Sequence, residues 1–151
     1  VKLSLVTAAD IADLADLHAA AFDIAWDASA FYDVLAGPGV FGYLAREGDP
    51  VGLVLCRTAA DELEVLTLAV APAARRAGVG KAMLAAALAT GRTIGAQQAF
   101  LEVAVDNSEA VGLYAGLGFR RAGVRKAYYD RGEAGRIDAL VMRLDLEAPT
   151  A

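Results

Sequence analysis

The run Leu66-Thr67-Leu68-Ala69-Val70-Ala71-Pro72-Ala73-Ala74-Arg75-Arg76-Ala77-Gly78-Val79-Gly80-Lys81 holds the residues whose types and spacing most clearly suit a chemical task. It passes from an apolar, strand-like stretch through a turn into an alanine-rich helix. Gly78 and Gly80 let the backbone come close to a ligand. The first amides of a helix lack internal acceptors and lie at the positive end of its dipole, so such a terminus binds phosphate. Arg75, Arg76 and Lys81 add positive charge beside it. Two nucleotide motifs do not fit. A P-loop needs glycine where Arg75 stands and serine or threonine where Ala82 stands. A dinucleotide fingerprint needs a third glycine where Met83 stands. The expectation is a strand–turn–helix cradle for an anion.

Two further side chains could move protons. Glu102 interrupts the apolar run Ala99-Phe100-Leu101-Val103-Ala104-Val105. A carboxylate in a mostly buried strand is costly unless it is paired or functional, and desolvation would make it a better proton acceptor. Both readings stay open: an ion pair with an arginine such as Arg143, or a general base, with Glu64 in reserve. Tyr114 falls on one helical stripe with Val111 and Leu117, where an ordinary core aromatic is the plain reading. Cys56, inside Val51–Cys56, reads as a small buried hydrophobe, and His18 as a packed residue. Trp26 could wall an acceptor site. Tyr128 and Tyr129 should alternate across a strand, one toward the core. Asp130, Glu133 and Asp138 could receive a cation.

The elements that must position these residues follow from periodicity and turn chemistry. A strand over 3–6 leads to a capping-box start at Thr7–Asp10 and a helix with Ile11, Leu14, Ala15, His18, Ala21 and Phe22 on one face. A short helix over 28–36 ends at Gly37-Pro38-Gly39. Strands over 40–46, 51–58 and 62–70 form an antiparallel meander, closed by Pro72. A helix from Gly78 to about Leu88 buries Val79, Ala82, Met83, Ala86 and Ala87. A largely buried strand over 98–105 follows, then a helix capped by Asn107-Ser108 and stopped by Gly118. Strands over 119–129 and 137–146 complete the chain, with Glu147–Ala151 as a frayed tail. The strand–helix–strand unit over 62–105 requires a parallel crossover. The class is therefore α+β: a mixed, mostly antiparallel sheet with one parallel βαβ crossover, in a single domain over 1–151.

Composition narrows the function. Hydrophobic residues make up 57% and charged residues 22%, which excludes disorder. One cysteine and one histidine exclude an internal disulfide and the usual zinc sites. No stretch approaches the ~20 apolar residues of a membrane span, and Val1–Val6 is too short for a signal sequence; a cytoplasmic setting is expected. The net charge of −5 argues against nucleic acid as a partner. Residues 1–70 carry 3 basic and 11 acidic side chains, and residues 71–151 carry 11 and 8. The acidic front half suits a cationic acceptor and the basic back half a phosphate-bearing one.

Arg75-Arg76-Ala77-Gly78-Val79-Gly80 resembles the coenzyme A pyrophosphate loop of the GNAT (Gcn5-related) N-acetyltransferases, and the element order resembles that family along nearly the whole chain. Phe100–Val103, Asp106-Asn107-Ser108, Leu113–Phe119, Tyr128-Tyr129 and Asp138-Ala139 resemble the RimI-type enzymes, which acetylate the N-terminal alanine of a ribosomal protein. The resemblance implies acetyl-CoA as co-substrate. It places the acetyl and pantetheine groups on the backbone of Leu68, Ala69 and Val70, and the pyrophosphate on Arg76, Ala77, Gly78, Val79, Gly80 and Lys81. Asn107 would also touch the coenzyme, Glu102 would be the base, and Tyr114 the acid toward the leaving thiolate. The family's Pro-Trp-Ser is replaced here by Ala25-Trp26-Asp27. An α-amine of pKa ~8 is about a tenth neutral at pH 7, whereas a lysine amine near ~10.4 is almost wholly charged, which favours a protein N-terminus. A small amine as acceptor, or a non-catalytic acyl-CoA-binding module, are the alternatives.

Overall fold

The computed structural model describes residues 1–146, so the tail over 147–151 lies outside the described residues. Seven strands form one sheet in the order β1-β2-β3-β4-β5-β7-β6. The strands are β1 (Lys2–Leu5), β2 (Val40–Glu47), β3 (Asp49–Ala59), β4 (Glu62–Val70), β5 (Gln98–Ala104), β6 (Arg120–Asp130) and β7 (Arg136–Asp145). The helices are α1 (Ile11–Ala21), α2 (Ala28–Leu35), α3 (Val79–Ile94) and α4 (Ser108–Gly116). Every pairing is antiparallel except β4 with β5, so the expected α+β class and crossover hold.

The helices cover both faces, each with its own core. Met83, Leu84, Ala87 and Leu88 of α3 pack with Val54, Leu63, Leu101 and Met142 on one face. Leu14 and Leu17 of α1 and Phe31 of α2 pack with Leu44, Leu53 and Leu55 on the other. Burial of this apolar surface is the main force holding the layers together.

Three expectations need correction. The helix begun at Gly78 does not stop near Leu88 but runs to Ile94, ending at Gly95 with φ 108. Gly91 belongs inside it, because a Cβ there would meet the Leu63 side chain at 2.4 Å; the glycine marks close helix–sheet packing, not a stop. Its buried stripe is Val79, Met83, Leu84, Ala87, Leu88 and Gly91, while Ala82 is exposed and Ala86 half-buried, because the larger leucines take the core-facing positions. Lastly, β5 is less buried than expected. Ala99, Leu101 and Val103 are buried and Phe100, Glu102 and Ala104 are only half-buried, the alternation of a strand with one open face.

What positions the site is a split in the sheet. β4 and β5 pair only over Glu62↔Gln98, Leu63↔Ala99 and Glu64↔Phe100, and beyond that the strands are unpaired. The split starts beside a bulge. Leu55 faces Thr67 and Cys56 faces Val65, so Leu66 has no opposite residue. Such an extra residue bends the strand and increases its twist. No described helix is long and apolar enough to cross a membrane.

Candidate active site

The split opens a cavity of about 1180 Å³ lined by β4, β5, α4, the α1–α2 loop and the β6–β7 hairpin. Leu68, Glu102, Asn107 and Tyr114 all line it, so four of the sequence-predicted residues converge on one space.

On the β4 wall, the Ala71 amide donates to the Val51 carbonyl at 2.8 Å, and Leu53 pairs with Ala69. Alternation along an antiparallel ladder then turns the backbone groups of Leu68 and Val70 away from β3, toward the split. Arg75 Nε donating to the Val70 carbonyl at 3.3 Å fits that direction. Leu68 and Val70 therefore offer unclaimed amides to the cleft. Ala69 is engaged in the β3 ladder, and its side chain is buried in the α1–α2 core.

Gly78 caps α3 with φ 82, a left-handed conformation that glycine adopts without strain. The first helical bond runs from the Ala82 amide to the Gly78 carbonyl, leaving Val79, Gly80 and Lys81 amides free at the positive end of the dipole. Gly80 lies where a Cβ would come 3.3 Å from Leu113 and 3.7 Å from Leu68, both cavity-lining residues. The helix start thus abuts the end of the cleft. Arg76 also has a left-handed backbone, φ 65, and an almost fully exposed side chain whose nearest counter-charge is Glu109 at 4.0 Å. Lys81 is exposed. Asn107 caps α4, its side-chain oxygen accepting from the Ala110 amide at 3.2 Å, which leaves its amide nitrogen for a ligand. These groups fit a diphosphate-bearing thioester.

Glu102 projects from the open face of β5. It pairs with Arg125 rather than Arg143, Nε to Oε1 at 2.7 Å; Arg143 turns to Asp145 at 3.6 Å. Arg125 comes from β6, beyond β7, and was not foreseen. The cause is a bulge in β6: Arg125 faces Ala139 while Tyr129 faces Ile137, so four steps on β6 match two on β7. Ala127 sits in the left-handed region, φ 50. Its amide donates to Asp138 Oδ1 at 2.7 Å and its carbonyl accepts from Arg136 Nε at 2.8 Å. Asp138 thus shapes the bulge through Oδ1, and it is not among the residues that line the cavity. The bulge also breaks the alternation expected of Tyr128 and Tyr129: both line the cavity, with rings edge-to-face at 5.1 Å. The Glu102 carboxylate beside Tyr128 holds that phenol above its usual range, chiefly by hydrogen bonding, and burial does the same for Tyr129. Glu64 also lines the cavity, pairing with Arg57 at 2.9 Å.

Tyr114 is buried on α4, its ring 6.0 Å from that of Phe119. Burial pushes its phenol up to about 12. Burial likewise raises Cys56 to about 12, as befits an inert core thiol.

The α1–α2 side of the cleft is organised by His18. Its Nδ1 accepts from the Trp26 amide at 2.9 Å, so its Nε2 carries the proton and donates to Thr67 Oγ1 at 2.9 Å. Its ring stacks on Trp26 at 5.3 Å. Burial lowers its pKa to about 4. His18 is thus packed, as expected, and Trp26 does wall the cleft. Opposite, Arg131 forks onto both oxygens of Asp106 at 2.8 Å, fastening the hairpin to the β5–α4 turn.

Similarity to known proteins agrees with this geometry. The profile of the acetyltransferase (GNAT) family matches residues 11–119. The N-alpha-acetyltransferase RimI of Mycobacterium tuberculosis is 36% identical over 159 residues, covering 99% of this chain and 96% of the relative. The crystal structure of the ribosomal-protein-S18-alanine N-acetyltransferase from Escherichia coli superposes with a TM-score of 0.90 at 25% identity, covering 99% of this chain and 96% of that one. Arabidopsis thaliana NAA60 in complex with acetyl-CoA shares the fold, with a TM-score of 0.83 at 18% identity over 96% of this chain and 98% of that one. With a family profile spanning most of its length and a cleft built to suit a thioester carrier, the chain belongs to the GNAT family and is a RimI-like, acetyl-CoA-dependent N-acetyltransferase.

Proposed function

We propose that the enzyme acetylates the N-terminal α-amine of a protein, with an alanine-starting ribosomal protein as the leading acceptor. The observation that carries the reading is the convergence of Glu102, Tyr114 and the β4 edge at Leu68 on one cavity. Its volume exceeds the ~300–1,000 Å³ of a typical small-ligand pocket, leaving room for a peptide beside the pantetheine arm. Asp23, Glu62 and Asp130 on its lining suit a cationic chain end. The two RimI-type relatives are N-terminal acetyltransferases by name, and they support the same class.

When bound, acetyl-CoA supplies an activated acetyl carbonyl. Glu102 takes a proton from the acceptor nitrogen as it attacks that carbon directly. A free backbone amide on the β4 edge near Leu68–Val70 is a preorganised donor for the developing oxyanion. Tyr114 gives its proton to the departing sulfur. Incubation with acetyl-CoA and an alanine-starting peptide should release free thiol stoichiometrically with peptide acetylation, and Glu102→Gln should lower kcat by about 100-fold. Absence of thiol release above background across several basic and neutral peptides would overturn the reading; faster turnover on small amines than on any peptide would reassign the acceptor.

A further inference from the structure

Three arginine–carboxylate pairs surround the cleft, and they are not built alike. Arg131 grips Asp106 through two guanidinium nitrogens, each at 2.8 Å, the two-point geometry that makes such pairs strong. Arg57 meets Glu64 through one nitrogen at 2.9 Å, outside the reacting pair of groups. Arg125 meets Glu102 through Nε alone, on one oxygen, at 2.7 Å. Its side chain is 60% exposed, while the Glu102 side chain is only 20% exposed. Its other described partner is the face of Tyr128, 5.6 Å from the ring centroid. The cation is therefore held at one point, at the open edge of the sheet, against the carboxylate that an acceptor nitrogen has to reach.

We infer that the Arg125 guanidinium is a displaceable occupant of the acceptor's cation subsite at Glu102, and so a residue that sets the affinity for every acceptor amine. The inference rests on Glu102 being the base. An acceptor amine reaches the site mainly as an ammonium ion and competes with Arg125 for the same carboxylate. A bare amine brings nothing else to the contest. A peptide brings backbone and side-chain contacts along a cleft that also presents Asp23, Glu62 and Asp130, but it displaces the same guanidinium. An exposed ion pair is worth ~0–1 kcal/mol, so the barrier is modest, up to about fivefold in acceptor affinity.

The test compares wild type and Arg125→Met with two acceptors, an alanine-starting hexapeptide and n-butylamine, at saturating acetyl-CoA. The expected result is a three- to fivefold fall in KM for both n-butylamine and the peptide, since either acceptor displaces the same guanidinium, with the KM for acetyl-CoA unmoved. The KM for acetyl-CoA and the melting temperature report whether the variant is folded, and Arg125→Gln serves if methionine perturbs it. The inference is overturned if kcat falls while both acceptor KM values stay put and Arg125→Lys restores it, since Arg125 would then be a strut holding Glu102. Unmoved acceptor KM values at wild-type kcat overturn it as well. A Glu102→Gln enzyme with wild-type turnover would remove the base assignment and this inference together, whereas an impaired Glu102→Gln enzyme beside unmoved KM values removes only the inference.

Discussion

Tyr114 shows how far a side chain's surroundings change what its type can do. A phenol of ordinary pKa ~10 could hand its proton to an alkyl thiolate, whose acid lies near ~8.5–10, at little cost. Burial pushes this one to about 12, making it the weaker acid, so in the proposed role its proton would move only as charge collects on the departing sulfur. The same burial keeps it protonated across the whole working range. The pH profile of kcat should therefore show no basic limb from this group between pH 7 and 10, and Tyr114→Phe should lower kcat by about 100-fold with little change in KM for acetyl-CoA. A basic limb present in wild type and absent from the phenylalanine variant would contradict the assigned environment. The candidacy of Glu102 and Tyr114 was legible in the sequence, one as a charge in an apolar run and the other through family resemblance. Their partners were not. Arg125 sits 23 positions from Glu102 on a strand that is not its neighbour, and nothing in local spacing reports a contact made across β7.

At the scale of elements, the two bulges do the positioning. The one at Leu66 coincides with the parting of β4 from β5 and so with the cleft itself. The one around Ala127 carries Arg125, Tyr128 and Tyr129 to the cavity. Element order, the parallel crossover and the Gly118 stop could all be read from periodicity and turn residues, because those patterns are local. The bulges could not. Ala127 adopts φ 50 without being a glycine, held there by Asp138 and Arg136 from the facing strand; the information lies in the pairing and is invisible in one strand alone. Asp138→Ala should release that hold. Loss of an exposed charge-assisted hydrogen bond of this kind costs about 1 kcal/mol, too little to unfold the domain. The relaxed bulge would misplace Tyr128 and Tyr129, raising KM for peptide acceptor several-fold and leaving KM for acetyl-CoA alone, because the proposed coenzyme groups come from β4, α3 and α4. Equal effects on the two substrates would show that the clamp supports the whole cleft instead.

At the scale of the whole molecule, the front and back halves meet across the split sheet, and His18 is where the front half is pinned. It joins α1 to β4 through Thr67 and to the α1–α2 loop through the Trp26 amide, with its ring packed against Phe22, Trp26 and Phe31. Both nitrogens are committed in the neutral form, and a second proton would set Nδ1 against the Trp26 N–H. Burial accordingly lowers the folded-state pKa to about 4 from 6.5. The sign follows from proton uptake. Between those two values the unfolded chain binds a proton that the folded one refuses, so stability falls as pH drops. The contribution is complete above pH 6.5 and shrinks by about 2 kcal/mol by pH 5. The sequence carries 19 carboxylate side chains beside its one histidine, so the wild-type curve alone does not isolate His18. The difference between wild type and His18→Gln does, because the acidic groups are common to both. Urea midpoints measured from pH 7.5 to pH 4.5 should converge on acidification, wild type losing its advantage over the variant as the pH passes below 6.5. Parallel curves would mean that His18 is protonated without penalty in the folded state, and that the pin between α1, the Trp26 loop and β4 does not depend on its neutral ring.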